Sequence, residues 1–241
     1  DEDAPLRPSG IDWLGDIPEG WTARKLKFLS THNDEVLSEN VPSDWVMKYI
    51  DIGSVSAEGG IKEVQEFEFA KAPSRARRIV KHGDVLVSTV RTYLKAIAPV
   101  ITPPPNLVAS TGFAVIRPSG DLTSNFAAYA LRTEGYVGEI VSRSVGVSYP
   151  AINASDAVQI HLPIPTIKEQ TKIVAKLASQ DASFDNLDAK AQSAITLLKE
   201  RRTALISAAV TGKIDLRDWQ PPEGAQQYLA QDINQPKEAL A

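Results

Sequence analysis

Three segments of the chain combine hydroxyl, arginine and aromatic side chains, which are residue types that contact nucleic acid. An arginine guanidinium forms paired hydrogen bonds with guanine or phosphate, a hydroxyl serves either, and a tyrosine ring packs on a sugar or base. We interpret the first segment as candidate base or backbone contacts, the second as candidate phosphate contacts and the third as further contacts. In that order the residues are Ser88, Thr89, Arg91, Tyr93 and Lys95; Arg75, Arg77 and Arg78; and Arg143, Ser144, Ser148 and Tyr149. Taken one at a time, each segment is better interpreted as a solvated surface loop. The presence of three such segments in one domain makes DNA binding an equal alternative.

The net charge of −4 does not favour DNA binding, but the charges are unevenly distributed. Residues 71–95 carry seven basic side chains against Asp84 alone, a local balance of +6, whereas residues 34–70 have a balance of −7. Because attraction to phosphate acts over a Debye length of about 8–10 Å, a local basic surface can bind DNA on an acidic protein.

The sequence lacks the motifs of enzymes that would act on DNA. It has no cysteine, no G-x-x-x-x-G-K-[ST] phosphate loop and no glycine-rich methyl-donor loop. Residues 102–105, Thr-Pro-Pro-Pro, lack the polar and aromatic ends of the Asn/Asp-Pro-Pro-aromatic motif of DNA amino-methyltransferases. The histidines, His32, His82 and His161, are too far apart in the sequence to suggest a metal site. We therefore predict a non-catalytic chain with no cofactor of its own.

Short apolar runs bounded by turn residues predict a mostly β domain over residues 1–165. Residues 1–30 are predicted as an irregular entry in which Trp13 and Trp21 anchor the core. The predicted fold class is α+β, a mixed and mostly antiparallel β domain with short helices, followed by one long coiled-coil-type helix. Strands are predicted over residues 45–52, 84–88, 96–101, 112–116 and near 158–162, and helices over 124–132 and 135–141.

A long helix is predicted over residues 166–212, immediately after Pro165. Thr166 and Glu169 fit a capping box, and neither proline nor glycine occurs again before Gly212, which we interpret as the C-terminal stop. Heptad spacing of apolar residues predicts a seam about five heptads long, on a helix of roughly 65 Å. The predicted helix-pairing residues are Ile173, Leu177, Phe184, Leu187, Ala191, Ala194, Leu198 and Leu205.

The preceding domain is too small to bury such a seam along its whole length, so the helix is expected to need a second helix. The alternative is a solvated helix folded back on its own domain. Residues 213–241 are predicted as a polar C-terminal tail. Because the chain begins at Asp1 rather than at methionine, we expect it to start inside a longer gene product or after trimming. The lack of cysteine and of any apolar run of about 20 residues favours a cytoplasmic protein.

A family pattern is carried by motifs that follow one another over about residues 9–219. Residues 11–21, IDWLGDIPEGW, with KLK at 25–27, resemble the segment that opens target-recognition domains of type I restriction–modification specificity subunits. YIDIG at 49–53, GDVLVSTVR at 83–91 and ASTGFAVIRP at 109–118 resemble later strands and loops of that domain. IPTIKEQ at 164–170 and LLKERRTALIS at 197–207, with VTGK at 210–213, resemble the start and end of the family's helical region.

The resemblance implies a DNA-binding specificity subunit. A full family member has two target-recognition domains held apart by two long antiparallel helices, and each domain recognises one half of a bipartite DNA site. It docks modification (methyltransferase) subunits, which bind S-adenosylmethionine, and through the complex the restriction subunit, which uses ATP and Mg²⁺. This sequence has one domain and one helix, so it resembles either a half-length subunit that pairs with a second copy or the C-terminal half of a longer one.

Two alternatives remain open from the sequence. One is an assembly module whose coiled-coil helix and loops bind only protein. The other is a DNA-binding fragment of a DNA methyltransferase.

Overall fold

A computed structural model describes residues 5–56 and 60–220 of the chain. The contacts divide the chain into two compact units, residues 1–179 and 180–241. Of the predicted C-terminal tail, residues 221–241 lie outside the described residues. The first unit contains every strand that the structure describes, together with the beginning of the long helix.

Twelve short strands are present in the described part of the first unit. They form four sheets, two with four strands each and two with two strands each. The strands are β1 (Leu6–Pro8), β2 (Asp16–Pro18), β3 (Thr22–Lys25), β4 (Ser30–His32), β5 (Val46–Ile50), β6 (Gln65–Glu68), β7 (Ala76–Ile79), β8 (Val85–Ser88), β9 (Ile97–Pro99), β10 (Leu107–Ser110), β11 (Phe113–Pro118) and β12 (His161–Ile164).

The two four-stranded sheets have the strand orders β6-β5-β10-β7 and β4-β11-β8-β9. Strand β10 runs parallel to β5, and the other pairings within both sheets are antiparallel. Only Thr111 and Gly112 separate β10 from β11, so the chain passes from one sheet into the other within two residues. The remaining strands form two small antiparallel pairs, β1 with β2 and β3 with β12.

The core forms layers because successive side chains of a strand point to opposite faces of a sheet. On β8, Val85 and Val87 belong to the apolar cluster that also contains residues of the short helices, whereas Leu86 belongs to a second cluster with Ile50 and Ala109 of the other sheet. Residues of β8 are therefore buried on both faces. This explains why the strand has a continuous apolar sequence rather than an alternating one.

Four α-helices complete the described fold. Helices α1 (Ser124–Ala130) and α2 (Glu134–Arg143) pack against the first of these clusters, and α3 (Ala154–Ala157) is a single turn. Helix α4 (Ile167–Val210) has 44 residues. At its start, Thr166 N donates to the Glu169 carboxylate at 3.0 Å and Glu169 N donates to the Thr166 hydroxyl at 3.3 Å, which confirms the predicted capping box.

The predicted fold class is confirmed, and most of the differences concern short strands. Residues 1–30 were predicted to be irregular, but their described part contains three strands and the start of a fourth. These strands are only three or four residues long, too short to show a period, and β3 depends on β12, which is more than 130 residues away in sequence. Strand β12 begins at His161, later than the predicted position near residue 158. Trp13 packs against the core, as predicted.

Candidate nucleic-acid interface

The site lies at one edge of the first four-stranded sheet, where β5 and β10 end and β7 begins. Ser110 ends β10 and pairs with Ala76, the first residue of β7, while Ala109 pairs with Ile50, the last residue of β5. Asp51 therefore follows β5 and Arg75 precedes β7 at a common edge. The carbonyl of Arg75 accepts a hydrogen bond of 2.8 Å from Thr111 N, which fixes the backbone beside β10.

The second sheet contributes the segment that follows β8. Residues 92–94 form a short 3-10 helix, and the residues on either side of it, Arg91 and Lys95, both have left-handed backbones with φ of 50° and 52°. A side chain with a Cβ adopts this conformation at a cost of about 1–2 kcal/mol. Such strain persists only where surrounding contacts maintain it, and it occurs frequently at functional sites.

A hairpin-like loop over residues 145–151 covers this segment. Val145 and Ala151 exchange two backbone hydrogen bonds of 2.9 and 3.0 Å, and Ala151 also bridges to Val90. A 2.8 Å hydrogen bond joins the Thr92 and Ser144 hydroxyls. These contacts hold Tyr149, at the end of the loop, close to Arg91.

One cleft of about 510 Å³ lies among these segments. The Arg91 guanidinium lies over the Tyr149 ring, 4.8 Å from its centroid, so a cation–π contact orients the guanidinium. Two arginines, one aspartate and one tyrosine thus share a cleft with several apolar side chains. We call this site the Arg91 cleft; it is lined by Asp51, Ile52, Gly53, Arg75, Val90, Arg91, Leu94 and Tyr149.

Charges of both signs meet beside the cleft at the buried Tyr49. Burial raises the pKa of the Tyr49 hydroxyl, and the Asp51 carboxylate raises it further, whereas a hydrogen bond with Ser110 and the charge of Arg75 lower it. The Tyr49 hydroxyl lies 3.5 Å from Asp51 Oδ1, which also accepts a 2.8 Å hydrogen bond from Ile52 N. The Asp51 carboxylate is exposed, and it was not among the sequence-predicted site residues.

Three of the predicted contact residues have hydroxyl groups that form hydrogen bonds within the protein. Ser88 is 3% exposed and its hydroxyl donates to the Val90 carbonyl at 2.7 Å; Thr89 is 7% exposed and its hydroxyl donates to the Gly112 carbonyl at 2.9 Å. The Ser144 hydroxyl donates to the Ile140 carbonyl at 2.8 Å and also bonds to Thr92. These three hydroxyls form hydrogen bonds within the loops around the cleft, and a role for them in DNA contact stays a prediction.

The other predicted residues are distributed over several places. Tyr93, Lys95 and Ser148 are exposed on the two loops beside Arg91. Arg143 pairs with Glu139 on the same helix at 2.6 Å. The Arg77 guanidinium lies 5.4 Å from the centroid of the Phe69 ring. Arg78 is partly buried and, within the described structure, its Nε has no hydrogen-bond partner. Of the three arginines of the second predicted segment, Arg75 lines the cleft.

The acidic and basic stretches of the sequence partly neutralise one another. Lys81 pairs with Glu35, and Lys71 pairs with Glu68 at 2.7 Å. Arg117 contacts the buried Asp84 through Nε and Nη2, at 2.8 and 2.9 Å, and Glu35 through Nη1 at 2.8 Å. The hydrogen bonds that Arg117 donates to Asp84 raise the pKa of Arg117 above its ordinary value, and the hydrogen bond from Lys81 lowers the pKa of Glu35. The local balance of +6 therefore overstates the positive charge available for DNA.

The predicted helix seam begins on the domain and continues over exposed residues. Gln170 is fully buried, and its side chain bonds to Thr123 N at 3.0 Å and to the Asp121 carbonyl at 2.6 Å. Ile173 is partly buried and packs against the domain core, and its assignment as a helix-pairing residue stays a prediction. Leu177 is partly buried. The remaining seam residues, which are exposed, are Phe184, Leu187, Ala191, Ala194, Leu198 and Leu205.

Two features are absent from the described residues. No described helix has the length and hydropathy of a membrane-spanning segment. Over residues 5–56 and 60–220, no group of three or more His, Asp or Glu side chains is arranged to hold a metal ion.

Comparison with known proteins gives consistent matches. A family model described as the type I restriction modification DNA specificity domain matches residues 18–197. The EcoKI specificity subunit of Escherichia coli K12 is 32% identical over 100 residues, which is 42% of this chain and 22% of that protein.

Two solved structures match more of the chain. The HsdS subunit of Thermoanaerobacter tengcongensis aligns with 29% identity and a TM-score of 0.64, over 86% of this chain and 53% of that one. A chain from a structural description of complex assembly and conformational transition in the type I R-M system aligns over the same shares, with 29% identity and a TM-score of 0.65. The chain thus spans about half the length of these solved chains and about a fifth of the EcoKI subunit.

Proposed function

The chain belongs to the type I restriction–modification DNA specificity family, and we propose on this basis that it recognises one half of a bipartite DNA site. In this proposal residues 1–165 form the target-recognition domain and contact double-stranded DNA. Residues 166–212 form a spacer helix, followed by the tail from residue 213. The Arg91 cleft is the DNA-contacting centre of the domain.

The observation that carries this proposal is the convergence of three separate segments on one cleft. Arg75, Arg91 and Tyr149 come from parts of the sequence that span 75 residues, and all three line the same site. Arginine is the residue that most often pairs with guanine or with phosphate, and an aromatic ring beside it supplies a stacking surface. An exposed loop tip adjoins the cleft, where Val147 is fully solvent-accessible.

The chain's part in the complex is specificity rather than catalysis. The matching family model describes a DNA specificity domain, and the EcoKI relative is named a specificity subunit, in agreement with the predicted non-catalytic role. We assign the methyl donor S-adenosylmethionine to modification subunits that dock on the chain, and ATP with Mg²⁺ to a restriction subunit held through the complex. The complex acts on DNA in the cytoplasm.

The exposed seam of α4 supplies the second interface of the proposal. Phe184, Leu187 and Leu198 are more than half exposed at heptad-related positions, which is the pattern of a helix that packs against another helix. The partner is an equivalent helix, either from a second copy of the chain or from the other half of a longer subunit. With a second copy, two-fold symmetry makes the DNA site palindromic as well as bipartite.

Selection from random DNA duplexes tests the proposed function. The chain would be assembled with its methyltransferase subunits, and the duplexes that it retains would be sequenced. We expect two short conserved half-sites separated by a fixed spacer. Retention of duplexes without an enriched sequence would contradict the proposal, and failure to bind DNA in an intact complex would favour a module that binds only protein.

A further inference from the structure

The Arg91 cleft contains a negatively charged hydrogen-bond acceptor, Asp51, beside its positively charged arginine donors. Asp51 is an acceptor-only carboxylate, whereas Arg75 and Arg91 are donors only. An interface that contacts only phosphates has no use for a carboxylate, which repels them. Asp51 caps the short 3-10 helix at residues 52–54, and its position in a cleft with two arginines also suits a ligand that presents a hydrogen-bond donor.

The Asp51 carboxylate retains acceptor capacity after its contacts within the protein. Its Oδ1 accepts the Ile52 amide at 2.8 Å and lies 3.5 Å from the Tyr49 hydroxyl. A carboxylate offers about four lone-pair sites on its two oxygens. Asp51 is exposed at the strand end, so its remaining acceptor sites face solvent or a ligand rather than the core.

The donors of the cleft differ in how firmly they are oriented. The guanidinium of Arg91 lies 4.8 Å from the Tyr149 ring centroid, and the Arg91 backbone has the left-handed conformation described above. Arg75 is exposed, and its contact in the described structure is made through its backbone carbonyl. The oriented guanidinium of Arg91 suits the fixed geometry of a base edge, and the exposed side chain of Arg75 suits a phosphate.

Among base pairs, G·C matches this arrangement best. In the major groove guanine presents two acceptors, N7 and O6, which fit an arginine fork, and cytosine presents the N4 amino donor, which fits a carboxylate. In an A·T pair the two neighbouring acceptors of guanine are replaced by one acceptor and one donor on adenine. Hence an arginine fork and a carboxylate together favour G·C.

We propose that the Arg91 cleft recognises one G·C base pair, with Arg91 on guanine, Asp51 on cytosine and Arg75 on a neighbouring phosphate. This inference rests on the proposed function, because it names the base pair that the same cleft recognises. It makes Asp51 a specificity-determining residue, although it is an acid in a DNA interface. The two side chains must also act on the same position of the DNA site.

The test compares motifs selected from random duplexes by the assembled complex with four versions of the chain: wild type, Asp51→Asn, Arg91→Lys and Asp44→Asn. Asparagine retains an oxygen that can accept the Ile52 amide, so Asp51→Asn preserves the local turn while exchanging one acceptor for a donor. Arg91→Lys preserves the charge but removes the planar fork. Asp44→Asn is the matched control, because this exposed residue lies before the opposite end of the same strand, β5. Melting temperatures would verify that the variants fold.

We expect one G·C position of the wild-type motif to lose about tenfold in preference in both Asp51→Asn and Arg91→Lys. The other positions stay unchanged, and Asp44→Asn gives the wild-type motif. The inference is overturned if Asp51→Asn retains the complete wild-type motif, or if the two variants alter different positions. A wild-type complex that selects no motif would instead overturn the proposed function itself.

Discussion

Arg91 shows how one residue can combine strain, orientation and charge. Its left-handed backbone points to a conformation maintained by the surrounding loops, and Tyr149 lies against its guanidinium. The sequence indicated the residue through its position between a buried strand and a hydroxyl- and aromatic-rich segment. It could not indicate Tyr149 as the partner, because the two are brought together by the bridge between Val90 and Ala151.

Replacing Arg91 separates base recognition from general attraction to phosphate. In the assembled complex, Arg91→Ala should weaken binding to the target duplex by about ten- to a hundredfold, because a bidentate base contact contributes about 1–3 kcal/mol. Binding to a non-target duplex should fall much less. Titrations of both duplexes at several salt concentrations measure the difference. Equal losses on the two duplexes, with a shallower salt slope, would make Arg91 a phosphate contact instead.

Glu35 should make the stability of the domain dependent on pH. The hydrogen bond from Lys81 is the largest cause that holds the pKa of Glu35 below its ordinary value, and the charges of Lys81 and Arg117 act in the same direction. A depressed folded-state pKa contributes stability above the ordinary pKa, and this contribution is lost as the pH falls through the folded-state value. Glu35→Gln should therefore lower the melting temperature slightly at pH 7.

The difference between wild type and Glu35→Gln should shrink as the pH falls below about 4.5. Glu39→Gln, at an exposed position nearby, serves as the control for loss of one negative charge. Thermal unfolding across a pH series gives the comparison. A stability difference that stayed constant down to acid pH would show that the ionised carboxylate is not its source.

Elements with local sequence signals could be predicted, whereas those that depend on distant pairing could not. Helix α4 was predicted almost to its ends, because its cap, its heptad spacing and Gly212 are all local features. Gly212 does adopt a left-handed φ of 71°, and Lys213 N closes the helix end on the Ala208 carbonyl at 2.8 Å. Strand β10 was not predicted. It begins directly after a proline-rich loop and is defined by its pairing with β5 and β7.

The same reason explains why the candidate site was only partly predicted. Residue types identified Arg75, Arg91 and Tyr149, but burial of Ser88 depends on the pairing of β8 with β11. Asp51 lay inside the strand predicted over residues 45–52, so the sequence did not indicate that this residue directly follows the strand, as it does in the structure. Arg75 lies at the same sheet edge as Asp51 because of the order of the strands in the sheet. A single sequence does not reveal that order.

The connection between β10 and β11 is expected to control the shape of the Arg91 cleft. A Cβ on Gly112 would lie 2.6 Å from Ile52 Cδ1 and 3.3 Å from Val90 Cγ2, and both of these side chains line the cleft. Because the nearer atom ends a flexible side chain, Gly112→Ala should change the melting temperature little but displace Ile52. Target-duplex affinity should fall several-fold.

Gly138→Ala is the matched control for this substitution, because a Cβ there meets no atom within 4 Å. It should leave DNA binding unchanged. The two variants would be compared by thermal unfolding and by duplex titration of the assembled complex. Full affinity in a well-folded Gly112→Ala variant would show that the position of the Ile52 side chain does not influence DNA contact.

Helix α4 should associate through its exposed seam. Changing both Leu187 and Leu198 to lysine places charges among apolar residues that we expect to pack against a partner helix. Light scattering should detect self-association of the unaltered chain and a shift toward monomer in the double variant. A control with Asn186→Lys and Gln192→Lys adds the same charge at positions outside the seam. A monomer in all three cases would contradict pairing with a second copy.

On the scale of the whole molecule, separate parts of the chain carry the two proposed interfaces. The DNA cleft belongs to the unit that ends at residue 179, and the exposed seam belongs to the unit that starts at residue 180. Lys71, Lys81 and Arg117 pair with four acidic residues, Asp34, Glu35, Glu68 and Asp84. The overall charge of −4 is compatible with DNA binding because attraction to phosphate acts locally. The cations of the cleft, Arg75 and Arg91, are exposed and lie apart from these ion pairs.

Photo-crosslinking gives the most direct test that the Arg91 cleft contacts DNA. Tyr149 and, in a separate chain, Phe28 would be replaced by benzoylphenylalanine; both side chains are 65% exposed, and Phe28 is not a cleft residue. Each chain would be assembled with methyltransferase subunits and irradiated on its selected duplex. We predict a protein–DNA crosslink from position 149, within one half-site, and none from position 28. A crosslink from position 28 alone, or from neither position in a complex that binds DNA, would contradict the assignment of this cleft.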